Sequence, residues 1–204
     1  MGLSVAITGG IACGKSLFAA HLRALGAEVL DADDVAHALE APGGAAVGLI
    51  RRRFGGGVIA ADGGVDRRRL AEVVFADPRA REDLNGLLHP MVRRGIDEWR
   101  RRPGASGVRA AVIPLLYEAG WEEGWDAVIC VSSHTRAQVD RLVRLRGLSA
   151  EQARQRLAAQ MPVAEKAARA DLTVNNDAGP EWLAEEATRI YRLLMEKSEH
   201  EYRA

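Results

Sequence analysis

One lysine of this chain stands in a glycine-rich stretch of a type that binds phosphate groups. Residues 9–16 read GGIACGKS and fit the pattern G-x-x-x-x-G-K-[ST]. Given the composition of the chain, a chance match is expected in roughly two of a thousand such sequences. Glycines let the backbone wrap closely around a phosphate, so that several N–H groups face its oxygens. In this pattern Lys15 contacts the β- and γ-phosphates, and the Ser16 hydroxyl holds Mg²⁺.

A dinucleotide-binding loop is the alternative interpretation of the same stretch. Asp31 lies about 20 residues further on, where a ribose-binding acid is expected. The dinucleotide pattern G-x-G-x-x-G, however, requires a glycine at the position of Ile11, and it gives Lys15 and Ser16 no role. The pattern therefore favours the phosphate loop of an enzyme that uses a nucleoside triphosphate.

Two carboxylates follow the second short apolar run. Asp31 and Asp33 belong to the sequence DADD and are two residues apart, so that both can face a crevice at the end of a strand. A carboxylate near Mg²⁺ and an acceptor hydroxyl can orient that hydroxyl and take its proton. An acidic turn that only caps a helix is the alternative.

Short apolar runs interleave with helical patterns and place these residues. The first helix is predicted from Lys15 to Leu25, between two such runs, and this strand–helix–strand order is typical of a parallel sheet. Strands are predicted at 3–8, 28–30, 108–113, 127–132 and 172–174. The sequence thus predicts an α/β fold of the P-loop NTPase type, a five-stranded parallel sheet flanked by helices.

Two stretches of helical periodicity interrupt that pattern, at about 35–102 and 134–166. We predict a single domain over residues 1–204, with an inserted helical region and a second helical segment. Its core segments are 1–34, 103–133 and 167–204. Helix starts are marked by Asp66, by Asp77 before a proline, and by Ser149 with Gln152 as a capping box.

The composition excludes several classes of protein. The 204 residues carry 28 basic and 28 acidic groups, which gives no overall charge to attract nucleic acid or an anionic membrane. Two cysteines cannot form a disulfide framework, and neither a signal peptide nor an apolar run of about 20 residues is found. We expect a cytoplasmic protein that binds neither nucleic acid nor membranes, with the arginine triplets 51–53, 67–69 and 100–102 as solvated helix ends.

Lysine is rare in this chain, which has 25 arginines and three lysines. Each lysine is therefore informative. Cys13, inside the phosphate loop, is either a redox-sensitive thiol or a small residue that the loop tolerates.

Over nearly its whole length the sequence resembles the dephospho-CoA kinases. The matching stretches are TGGI through Ser16, DAD at 31–33, FG at 54–55, DG at 62–63, RRRL at 67–70, LHP at 88–90, PLLYE at 114–118, Gln138 with Arg141, AQ at 159–160, Lys166, AD at 170–171 and Asn176. The phosphate loop is widely shared, whereas the other motifs in this order are far more specific. The resemblance implies ATP-dependent phosphorylation of the ribose 3′-hydroxyl of dephospho-CoA, with the insertion binding the acceptor and the segment 134–166 forming a lid.

The resemblance also implies a role for individual residues. Asp33 is expected to be the general base, and Lys15 and Arg141 to be catalytic cations. The residues expected to bind ATP are Gly10, Ile11, Ala12, Cys13, Gly14, Lys15, Ser16, Leu17 and Asn176, and those expected to bind the acceptor are Asp31, Asp33, His89, Leu115 and Glu118. His89 as a hydrogen-bonded histidine at a helix start, and Leu115 and Leu116 as plain core, are the alternatives.

The sequence departs from the family pattern at three positions. Val112 stands where many members have an aspartate, so that Mg²⁺ is left to Ser16, water and the Asp31/Asp33 pair. Leu145 stands where arginine is frequent, between Arg144 and Arg146, and Leu17 stands where threonine is common.

The resemblance also sets the expected partners and the alternatives. We expect ATP and Mg²⁺ as cofactors, small-molecule substrates, and a monomer or small homo-oligomer. Another P-loop nucleoside, nucleotide or sugar kinase is the alternative function. A nucleotide-dependent switch is a third, but the chain lacks the N-K-x-D motif of guanine switches.

Overall fold

The structure, a computed structural model, describes residues 2–102 and 107–203. Residues 1, 103–106 and 204 lie outside the described residues; they fall at the ends of the predicted domain and at the start of its second core segment.

The centre of the fold is a five-stranded parallel sheet, which confirms the predicted fold class. Its strands are β1 (Leu3–Gly9), β2 (Glu28–Asp31), β3 (Val108–Val112), β4 (Ala127–Ser132) and β5 (Leu172–Asn175). The strand order is β2-β3-β1-β4-β5, and every neighbouring pair is parallel. Parallel strands covered on both faces are expected to be apolar throughout, and β1 is buried at every position. The strand that leads into the phosphate loop is thus the middle strand.

Helices follow or separate these strands. They are α1 (Lys15–Ala24), α2 (Ala32–Glu40), α3 (Val47–Phe54), α4 (Arg67–Ala76), α5 (Pro78–Arg100), α6 (Thr135–Arg146), α7 (Ala150–Ala158), α8 (Val163–Arg169) and α9 (Pro180–Arg203). The capping predictions are confirmed, since the side chains of Asp66, Asp77 and Ser149 accept hydrogen bonds from the first turns of α4, α5 and α7. In the described part of the chain, no helix is both long and apolar enough to cross a membrane.

The chain divides into two compact units. The first contains the sheet, and its core joins the apolar faces of α1 and α9 to β1, β3 and β4. The second unit runs from Ala32 to Arg101 and has a small core of its own around Ile50 and Leu70. The arginine triplets at 51–53 and 67–69 lie at the ends of its helices, where Arg53 pairs with Asp83 and Arg67 with Glu40.

His89 does not stand at a helix start, so the position given in that alternative is wrong. The residue lies inside α5, a helix of 23 residues, and Pro90 follows it within the same helix. A proline there cannot donate the helical hydrogen bond to the carbonyl four residues earlier, and its ring crowds that carbonyl. Gly86 occupies that earlier position. The histidine is half-buried on the body of the helix.

We predict that Leu194→Ala lowers the free energy of unfolding by about 2–5 kcal/mol, because Leu194 is 1% exposed in the main core and truncation leaves a cavity. Leu193→Ala is the matched control. That side chain is 43% exposed on the same helix, and its loss is expected to cost less than about 1 kcal/mol. Urea unfolding of both variants measures the difference, and equal losses would contradict the described packing of α9.

Candidate functional site

The glycine-rich loop connects the carboxyl end of β1 to the first turn of α1. Gly14 precedes the helix in a left-handed conformation with φ of 95°, and no side chain caps the first turn. The first N–H groups of a helix have no partner within it, and the helix dipole adds partial positive charge at that end. The sequence GGIACGKS therefore forms a strand–loop–helix connection whose helix start has the donors that an anion-binding site requires.

The backbone of the loop is approached so closely that a side chain would collide at each of its three glycines, most closely at Gly9, where a Cβ atom would lie 2.0 Å from Val131 O. A Cβ atom on Gly14 would lie 2.3 Å from Asn176 Nδ2, and one on Gly10 would lie 2.9 Å from Cys13 Sγ and 3.0 Å from Gln138 Oε1. Gly9 therefore requires glycine because backbone blocks the space, Gly14 requires it for space and for its positive φ, and at Gly10 the neighbouring side chains would have to shift.

Lys15 holds its ammonium group over the loop. Its Nζ donates hydrogen bonds to Gly10 O at 2.8 Å and to Gly9 O at 3.2 Å. The next residue, Ser16, is exposed in the first turn of α1. One cation and one accessible hydroxyl are therefore placed beside the first N–H groups of α1.

Asn176 supports the loop from the end of β5. Its side chain is 5% exposed, and Nδ2 donates to Cys13 O at 2.9 Å. Its backbone N–H donates to Ser132 O, and its carbonyl accepts a hydrogen bond from the Ser133 hydroxyl at 3.0 Å. Two strand ends and the phosphate loop are thereby joined by short hydrogen bonds.

Arg141 reaches the same place from α6. Its guanidinium donates to Ala12 O at 3.1 Å, to Ser133 Oγ at 2.9 Å and to Asn176 O at 2.5 Å. Ala12 has a φ of 58°, a conformation that costs a residue other than glycine roughly 1–2 kcal/mol. The arginine therefore contacts a strained point of the loop and brings a second positive charge to it.

The helix that carries Arg141 also carries Gln138 and Arg144. Gln138 is 3% exposed, and its Nε2 donates to Ser133 O at 2.8 Å. Residues three apart share a helix face, which applies to Gln138 with Arg141 and to Arg141 with Arg144, whereas Arg146 lies on another side. Arg144 and Arg146 are both exposed.

Both cysteines lie in environments that disfavour the thiolate form. Cys13 and Cys130 are fully buried and unbridged. Burial raises the pKa of the Cys13 thiol, although Lys15 acts in the opposite direction, and burial raises the pKa of Cys130 to about 11. Since the thiolate is the reactive form, these shifts favour the interpretation of Cys13 as a small residue that fits the loop.

The two predicted carboxylates lie in successive elements. Asp31 is the last residue of β2 and pairs in register with Val112, which in turn pairs with Ile7 of β1. Asp31 therefore lies two strands from β1. It stands at the carboxyl end of its strand, and the phosphate loop likewise follows the carboxyl end of β1. Asp33 lies in the first turn of α2 and is exposed.

The segment after β3 contains Leu115 and Leu116, for which the sequence left open whether they bind the acceptor or belong to the core. The two side chains differ in exposure. Leu116 is fully buried and belongs to the interior, as the core alternative predicts, whereas Leu115 is 41% exposed. Glu118 is 23% exposed at its side chain and pairs with Lys166 Nζ at 2.7 Å. Its Oε1 also accepts a hydrogen bond from the N–H of Met161 at 3.1 Å.

Two residues of this site have no predicted role in the sequence. Ser133 links Asn176 and Arg141, and its position directly after β4 is the signal that locates it. Lys166 is fully buried. The scarcity of lysine in this chain is the feature of the sequence that points to this residue.

Comparison with known proteins connects this geometry to a family. The sequence profile described as dephospho-CoA kinase matches residues 3–181. A dephospho-CoA kinase from Anaeromyxobacter dehalogenans is 49% identical over 188 residues, which cover 91% of this chain and 89% of that protein. A crystal structure of a Thermus thermophilus protein superposes with a TM-score of 0.77 at 35% identity and covers 93% of this chain and 95% of that one.

A shikimate kinase from Acinetobacter baumannii, solved in complex with shikimate, shares the fold. The match has a TM-score of 0.54 at 20% identity and covers 97% of this chain and 95% of that one.

We predict that Gly14→Ala abolishes ATP binding, because the new Cβ would collide with Asn176 Nδ2 and displace the loop backbone. Gly147→Ala is the matched control. Gly147 also has a positive φ, of 64°, but nothing lies within 4 Å of a Cβ there. Titration calorimetry with ATP compares the two variants, and equal affinities would show that the contact with Asn176 does not set the shape of the loop.

Proposed function

The chain belongs to the dephospho-CoA kinase family, and we propose that its phosphate loop, Asp33 and Arg141 carry out the reaction of that family. This reaction is the last step of coenzyme A synthesis, the transfer of a phosphoryl group from ATP to the ribose 3′-hydroxyl of dephospho-CoA. The match over most of the chain is the observation that carries this function. It does not favour another P-loop nucleoside, nucleotide or sugar kinase.

Phosphoryl transfer depends mainly on charge and positioning. Its transition state is loose, and negative charge spreads over the oxygens of the transferred group. In our proposal Lys15 leaves the carbonyls of Gly9 and Gly10 for the β- and γ-phosphates, while the first turn of α1 supplies N–H donors. Arg141, already hydrogen-bonded to Ala12 O of the loop, neutralises the remaining charge.

Ser16 after the loop and Asp31 at the end of β2 offer oxygen donors of the kind that suits Mg²⁺ arriving with the nucleotide. Among the described residues no group of three or more His, Cys, Asp or Glu side chains is able to hold a metal ion by itself. Mg²⁺ does not require such a cage, because it keeps several waters and binds one or two protein oxygens together with substrate phosphates. We propose the Ser16 hydroxyl and the Asp31 carboxylate for this purpose; the ion would neutralise charge on the phosphates.

The acceptor hydroxyl is the proposed partner of Asp33. An exposed carboxylate accepts a hydrogen bond from a hydroxyl, orients it and takes its proton as the new bond forms. We further propose that the second compact unit, with His89, binds the acceptor, that Leu115 contacts it, and that the segment 134–166 acts as a lid. A lid excludes water, which would otherwise be phosphorylated instead of the substrate.

The substrate is tested by measuring ADP release with dephospho-CoA in parallel with adenosine, AMP, gluconate and shikimate. We expect stimulation by dephospho-CoA alone, with the product phosphorylated at the 3′-hydroxyl. A rate with dephospho-CoA no higher than the rate without an acceptor would refute the proposed function.

We predict that Asp33→Asn lowers kcat by about 10²-fold or more and leaves the KM for ATP nearly unchanged, because the amide can accept no proton. Asp34→Asn is the matched control, since Asp34 is exposed in the same helical turn and has no proposed role. Steady-state kinetics of the two variants with dephospho-CoA measures the effect.

Asp31→Asn, in contrast, is expected to be partly restored by additional Mg²⁺. If Asp33→Asn is fully active and Asp31→Asn is inactive at every Mg²⁺ concentration, the two roles are reversed.

A further inference from the structure

Lys166 places a positive charge in the interior of the first compact unit. The side chain is fully buried, in a helix that packs on β1 and β4. Its Nζ lies 2.7 Å from Glu118 Oε1 and donates to Pro114 O at 2.8 Å. A buried ammonium without a partner is strongly unfavourable, so these two oxygens must stay in place for the helix to pack.

The same two oxygens hold three parts of the chain together. Pro114 O also accepts a hydrogen bond from the Thr8 hydroxyl at 3.4 Å, and Thr8 directly precedes Gly9 of the phosphate loop. Glu118 Oε1 also accepts from the N–H of Met161, in the connection that leads to α8. The pair of Lys166 and Glu118 therefore joins the segment 114–118 to α8, to the connection before α8 and, through Pro114 O, to the phosphate-loop strand.

An arginine at position 166 would not reproduce this arrangement. An ammonium is a compact point charge that points its donors at two oxygens at one spot, whereas a guanidinium is a broad planar fork. In a chain with 25 arginines, a fully buried lysine therefore indicates a site that requires the smaller group.

We propose that Lys166 and Glu118 form a positioning pair, which holds Leu115 and its neighbours in the place where the acceptor binds. Glu118 then acts through Lys166 and not by contact with the acceptor. This inference rests on the proposed function for the identity of the acceptor, but the placement of the segment 114–118 does not depend on it.

The experiment separates positioning from stability with Lys166→Met, Glu118→Gln and the double variant. Each single change leaves one charge unpaired, so both single variants are expected to melt at lower temperature, and the double variant to regain most of the loss. The KM for dephospho-CoA is expected to rise about tenfold or more in all three, without recovery in the double variant, while the KM for ATP changes little.

A matched control removes another ion pair between the same parts of the chain. Arg169 of α8 pairs with Glu122, four residues beyond Glu118, and the two side chains are 39% and 30% exposed. Because the Arg169 guanidinium also lies over the ring of Tyr117, 4.2 Å from its centroid, the control is Glu122→Gln alone, which is expected to keep the KM values of the unaltered enzyme.

Hydrogen exchange of the backbone amides provides a readout that needs no acceptor. In the double variant of Lys166 and Glu118 we expect faster exchange over residues 115–120 and unchanged exchange in β4. An unaltered enzyme without activity on dephospho-CoA would refute the proposed function. The exchange data would still show whether Lys166 and Glu118 hold the segment 114–118 in place.

Three results would overturn the positioning pair. The first is a double variant with normal KM and normal exchange. The second is a double variant whose melting temperature is no higher than that of Lys166→Met, since the two groups then do not act together. The third is a raised KM in Glu118→Gln alone, which would mean direct contact with the acceptor.

Discussion

The contact between the Asn176 amide and the backbone of the phosphate loop is the constraint on which the rest of this site depends. A loop that binds an anion through N–H groups has to expose those donors, so its remaining carbonyls need hydrogen-bond partners from elsewhere. Here the support comes from outside, through Asn176 Nδ2 to Cys13 O. The contact leaves no room for a side chain at Gly14, so the glycine of the motif and the distant asparagine require each other.

From this contact the remaining parts of the site follow. The carbonyl of Asn176 receives Arg141 and Ser133, so that the residue which braces the loop also orients the second cation. On the other side of the loop, Lys166 pairs with Glu118 and donates to Pro114 O, which follows β3. The same carbonyl accepts a hydrogen bond from Thr8 of β1. The carboxyl ends of the strands thus hold the loop between two sets of hydrogen bonds.

The sequence predicted the local parts of this structure well because local patterns determine them. The apolar runs correspond to β1 to β5, and the residues Asp66, Asp77 and Ser149 cap helices as their types indicate. The phosphate loop lies between strand and helix as its mechanism requires.

Contacts between distant segments could not be predicted in this way. Asn176 and Cys13 are 163 positions apart, and no pattern of spacing relates them. Lys166 and Glu118 likewise meet only because α8 packs on the sheet. The position of His89 was misjudged in one alternative because proline usually marks a first helical turn, whereas Pro90 lies inside α5.

The burial of both cysteines also determines how this protein can be labelled. Cys13 and Cys130 are fully buried, which shields both thiols from reagents and raises the pKa of each. A single cysteine introduced on the surface would therefore be the one thiol that a maleimide dye finds on the folded protein, without prior removal of the native pair. The slow rate at which the native thiols are alkylated would in turn report how often the core around β1 and β4 opens.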